Sequence, residues 1–125
     1  MLKLIVVILS FLNICLAQTF VERLIQDCDN NESFACGALV NEYAHGDEKE
    51  GIKPDTGKML EYGIKACDIN LFYCDKLALI YEHGVNGVAK DMAKAIAYYK
   101  MRCDSKYEDL ETCQKVGDAY AKGDG

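Results

Sequence analysis

The chain has 125 residues, room for one domain and a modest core. It carries 14 basic against 20 acidic residues, a formal charge of −6. That balance argues against binding nucleic acid or an anionic membrane surface, both of which want clustered Lys and Arg.

Residues 1–17 read as a signal peptide. Lys3 precedes an unbroken apolar run, Leu4–Leu9, and Cys15-Leu16-Ala17 makes a small-x-small site with cleavage after Ala17. A membrane anchor fits less well, because the run is short and Asn13 interrupts it. Lipid attachment at Cys15 fits less well too, since Ile14 stands where a small residue belongs. The mature domain, 18–125, is therefore expected to be secreted or periplasmic, without membrane contact once cleaved. Cys15 leaves with the signal. Cys28, Cys36, Cys67, Cys74, Cys103 and Cys113 remain, an even set that reads as disulfides in a short exported chain.

From residue 20 onward the chain repeats. Residues 20–28, FVERLIQDC, supply a leading helix that ends in Cys28. Three segments then carry Cys, Tyr seven residues later and Gly three further on: Cys36/Tyr43/Gly46, Cys74/Tyr81/Gly84 and Cys113/Tyr120/Gly123. These are helices of one type, A, each closed by a left-handed Gly cap. Asp55–Asp68 and Asp91–Asp104 align without a gap and form a second type, B, with Asp as N-cap. In the later copy Met92, Ala95, Ile96, Tyr99 and Cys103 fall on one apolar stripe, with Lys94 and Arg102 off it. A single stripe cannot be buried alone, so further copies must cover it. The expected order is B-A-B-A-B-A, with Pro54 in a loop and no strand signal.

Leu-x-x-x-Tyr-x-x-Gly, a loop, and Asp-x-x-Lys-Ala-x-x-Tyr-Tyr-Lys-x-x-Cys-Asp over 36 residues resemble the Sel1-like repeat, a relative of the tetratricopeptide repeat. With Cys ending B and recurring in the next A, the chain resembles the cysteine-rich secreted subgroup typified by the Helicobacter cysteine-rich proteins. The resemblance covers about residues 20–125. It implies an all-α fold: a right-handed α/α solenoid of helix-turn-helix repeats, about six helices, with two full repeats flanked by half-repeats.

The cysteines then pair as Cys28–Cys36, Cys67–Cys74 and Cys103–Cys113, each clasping a B helix to the next A helix. Zinc is the alternative, but its paired ligands sit closer in sequence. No metal site and no cofactor is expected. Gly57 and Gly63 stand where the later copy has Ala93 and Tyr99, and a helix-interior Gly costs about 1 kcal/mol relative to Ala. His45 and His83 share one repeat position with Lys122, which suits a helix C-terminus better than metal or base chemistry. Ser33 and Ser105 are candidate nucleophiles only by family naming. Neither has Lys three residues on, Ser105-x-x-Glu108 reads as a capping box, and Ser33 starts an A helix. Asp27-x-Asp29-x-Asn31 begins like a calcium loop but lacks its Gly and closing Glu. Asn31-Glu32-Ser33 is a glycosylation acceptor sequence. Most tyrosines recur at repeat positions and read as packing residues.

The functional expectation is an exported protein- or peptide-binding module. Its concave face would be lined by Asn41, Asp75, Leu79, Glu82, Gln114 and Asp118, an acidic surface suited to a basic ligand. The alternative, a β-lactamase-like hydrolase or penicillin binder, rests on the resemblance alone. Helix Glu108–Ala121 is expected to lack a following B helix, exposing Val116 and Tyr120 and inviting self-association.

Overall fold

The computed structural model describes residues 1–16, 18–106 and 109–123. They form seven α-helices: α1 (Leu2–Leu16), α2 (Phe20–Asp29), α3 (Ser33–His45), α4 (Thr56–Ile69), α5 (Cys74–His83), α6 (Met92–Cys103) and α7 (Leu110–Lys122). A 3-10 turn, Leu71–Tyr73, leads into α5. Among the described residues there is no strand, only one bridge between Asp47 and Ile52 in the α3–α4 loop. No described helix is long and apolar enough to cross a membrane. The arrangement is all-helical and repeat-like: α2, α4 and α6 are B helices, and α3, α5 and α7 are A helices.

Three disulfides, Cys28–Cys36, Cys67–Cys74 and Cys103–Cys113, tie each B helix to the A helix after it. The first four of these cysteines are fully buried beside Leu39, Met59 and Leu77 at the centre of the core.

The opposite junction, from A to the next B, is built from the repeated residues. Asp55 and Asp91 cap their helices, each carboxylate accepting the N–H three residues on, from Lys58 and Lys94. The N–H of Asp55 donates to Tyr43 C=O and that of Asp91 to Tyr81 C=O, both at 2.8 Å. Tyr62 stacks on Tyr43 and Tyr98 on Tyr81, at 5.6 and 5.9 Å between centroids. The Lys58 and Lys94 ammonium groups lie 5.1 and 5.2 Å from the Tyr43 and Tyr81 rings. The leading helix differs. Thr19 and Glu22 form a reciprocal capping box, so the Thr19 N–H donates to the Glu22 carboxylate rather than to a preceding tyrosine.

Several local expectations are corrected. Arg102 is not an outward residue: it is 8% exposed, 3.3 Å from the Asp75 carboxylate, over the Phe72 ring, and donates to Ser105 Oγ. Ser105 packs against Arg102, and the Ser105-x-x-Glu108 capping box falls partly outside the described residues. Asp109 is the cap, accepting from the Glu111 N–H and the Thr112 hydroxyl, and Glu108 lies outside the described residues. Ser33 is the first residue inside α3, with Glu32 before it at the cap position.

Gly63 is also more than a weak helix residue. A methyl group there would come within 3.2 Å of Leu77 Cδ1 and 3.7 Å of Val40 Cγ2, so it sets the approach of α4 to α3 and α5. At Gly37 a methyl group would collide with the Tyr73 ring. Gly117, by contrast, faces open space in mid-helix. Gly117→Ala is expected to raise stability by about 0.5–1 kcal/mol, and Gly37→Ala to lower it by about 1–3 kcal/mol, read as urea midpoints. Replacing Cys67 and Cys74 together by Ala should cost about 2–3 kcal/mol in the same assay, the loop-closure value for so short a ring.

Candidate functional site

The residues expected on one concave face do not stay together. Asp75, Leu79, Glu82 and Asp118 converge where α5, α6 and α7 meet, around Tyr99 and Lys115. Asn41 and Gln114 are exposed but line neither recess there. The reason lies in the repeat. Asp75 and Glu82 sit at A-helix positions that turn toward the following B helix, and both are held there, Asp75 by Arg102 and Glu82 by Tyr99.

The site is a cleft of 230 Å³ between α6 and α7. Met92 and Ile96 form its apolar side, Glu82 and Asp118 supply carboxylates, and Lys115 and Lys122 supply ammonium groups. A neighbouring recess of 150 Å³ adds Asp75, Asp109 and Glu111 along the same α7 flank. Tyr99 separates the two. Its hydroxyl donates to the Glu82 carboxylate, and the Lys115 ammonium lies 5.1 Å from its ring centroid.

Burial, then the Glu82 carboxylate that its proton bridges, pushes the Tyr99 phenol well above its ordinary pKa. Burial also pushes the Asp75 carboxyl up, although the adjacent Arg102 pulls the other way. The cleft alone balances two carboxylates against two ammonium groups, but cleft and recess together carry five carboxylates against two, beside the apolar Met92 and Ile96. Such a surface suits a cationic side chain with an aliphatic stem, held by charge and contact.

The candidate serines lie elsewhere. Ser33 and Ser105 border one cavity of 370 Å³ with Asn70, Phe72 and Lys106. No imidazole or carboxylate is among its described lining residues. His45, His83 and Lys122 each end an A helix ahead of Gly46, Gly84 and Gly123, all at positive φ. Asp29 pairs with Lys65 at 2.9 Å. Asn31 is exposed at φ 66° in the α2–α3 turn.

Tyr99, Lys115 and Arg102 are the site residues that sequence reasoning missed. The available signal was Tyr99 itself: a large polar-tipped ring stands where the other copy has Gly63, so this junction must be built differently.

No protein-family model matches the chain. Cytochrome c oxidase assembly factor 7 of Xenopus tropicalis is 33% identical to it over 86 residues, which cover 65% of this chain and 37% of the relative. The chain therefore spans well under half of that relative's length. The relative's name is neither that of an exported peptide-binding module nor that of a β-lactamase-like hydrolase. Both functional expectations are corrected by this finding.

Tyr99 makes the fold sensitive to alkali with a defined sign. Above about pH 10 the unfolded chain releases this phenolic proton. The native chain keeps it, so the native state binds more protons and stability falls as pH rises. Tyr99→Phe should flatten that decline while costing about 1 kcal/mol at neutral pH. Some slope remains in the variant, because Tyr62 and Tyr98 are raised as well. Denaturant midpoints across the alkaline range provide the check.

Proposed function

We propose that the chain is an assembly factor that works without catalysis during the building of a cytochrome c oxidase type of complex. The observation that carries this is its 33% identity over 86 residues to cytochrome c oxidase assembly factor 7. Three disulfides support a place of work where thiols are oxidised. On this reading residues 1–17 are the leader that directs the chain there. The helix order and the repeated junctions support a right-handed solenoid of Sel1-like repeats as its architecture. The partner is an oxidase subunit in the course of assembly. It is engaged through a basic side chain along the α7 flank, where Asp75, Asp109 and Glu111 add to Glu82 and Asp118.

The test is removal of the chain from its own cells, followed by native gels of the oxidase and its activity. Loss of assembled complex, restored by the wild-type chain, supports the assignment. Unchanged oxidase levels would sink it. Asp118→Lys, an exposed change, is expected to leave helix content intact and reduce rescue.

A further inference from the structure

The α5–α6 loop turns at Asn86 and Gly87, both in the left-handed region at φ 53° and 82°. Asn enters that region more readily than other side chains, and Gly does so without steric cost. The turn seats against the start of α4, where the Thr56 hydroxyl donates to the Asn86 C=O at 2.6 Å. A methyl group on Gly87 would meet that same hydroxyl, so this approach needs glycine.

Asn86 is the one asparagine in the chain with glycine after it. A Cβ on the following residue obstructs attack of its nitrogen on the asparagine carboxamide, and here there is none. Asn86 and Gly87 are exposed, and among the described residues no backbone carbonyl accepts the Gly87 N–H. Other asparagines are placed differently. Asn41 lies inside α3, where the next N–H belongs to the helix ladder, and the Asn70 side chain accepts the Phe72 N–H. Asn30 and Asn31 are followed by Asn and Glu. What the fold adds at Asn86 is Thr56. When the Gly87 N–H loses its proton, the charge is shared between that nitrogen and the Asn86 carbonyl oxygen. A donor already aimed at this oxygen stabilises the charge as it develops, as in an oxyanion hole.

We propose that Asn86 is a site of spontaneous deamidation in the folded protein, with the Thr56 hydroxyl as its activating group. Hydroxide removes the Gly87 amide proton, and the nitrogen attacks Asn86 Cγ. The new C–N bond closes a succinimide ring. The carboxamide nitrogen leaves as ammonia, drawing its extra proton from water and so regenerating hydroxide. Water then opens the ring at either carbonyl. One opening leaves aspartate at position 86 with an ordinary backbone, and the other leaves isoaspartate, whose backbone is longer by a methylene. Either product adds a negative charge to the loop. The isoaspartate also carries the carbonyl away from Thr56, which loosens the loop from α4. The proposal is independent of the oxidase reading, because it rests on this turn alone.

The test incubates the folded 1–125 chain in mildly alkaline buffer and follows position 86 by peptide mapping with isoaspartyl methyltransferase labelling. Conversion at Asn86 ahead of every other asparagine is expected. Thr56→Val should slow it about fivefold, the value of one hydrogen bond to the developing charge. Thr56→Ser, which keeps the hydroxyl, should convert at the wild-type rate, with all three chains compared at equal helix content. A turn merely loosened by Thr56→Val would convert faster, so the sign of the change separates activation from support. An intact Asn86 under conditions that convert a synthetic peptide of residues 83–90 overturns the site. An unchanged or faster rate in Thr56→Val overturns the role of the hydroxyl.

Discussion

The backbone hydrogen bond from an N-cap aspartate to the tyrosine carbonyl of the preceding A helix is the constraint on which the helix arrangement turns. It is a bond between two helix ends, so it satisfies one N–H that a helix start leaves without an internal partner. It also fixes where the next helix begins and which way it leaves. With the Asp carboxylate turned inward onto its own first turn, the side chains that follow are brought over the tyrosine ring. The disulfides hold the other end of each B helix. Every B helix after the first is thus gripped at both termini, and its apolar stripe is delivered to the core without a choice of register.

Much of this was legible because it was written more than once. The Asp-to-Cys alignment and the Cys-Tyr-Gly spacing appear in the structure as helices, with Gly84 and Gly123 as left-handed caps, whereas Gly46 has φ 77° with ψ 162°. What periodicity could not supply was the use of a position after the copies diverge. Arg102 sits off the stripe by spacing, yet Asp75 and Phe72, both from the preceding unit, draw it inward. Gly63 looks like a defect in a helix and is instead the point at which α3 and α5 come close to α4. Such effects depend on a neighbour distant in sequence, and no local pattern encodes the neighbour.

The site shows the same limit. Four of six residues placed on a common face do gather, but around Lys115 and Tyr99, the latter assigned by the stripe to packing. Two of the four, Asp75 and Glu82, serve the helix junction as much as any ligand. The functional expectation failed for a different reason. It was carried over from a repeat family, and a repeat fixes a scaffold rather than a task. The 33% identity over 86 residues is to a cytochrome c oxidase assembly factor, a name that matches neither expectation.

Each disulfide spans only 7 to 10 residues, and the members of different pairs are far apart in the chain. Closing so short a loop costs less entropy than joining cysteines of different pairs, by an amount that grows with the logarithm of loop length. The correct thiols therefore meet first in an unfolded chain. Each helix hairpin can be oxidised as soon as it emerges, before the hairpin after it exists. Oxidative folding of this protein is expected to be a series of local events, and a wrong pairing would have to take its cysteines from two different hairpins.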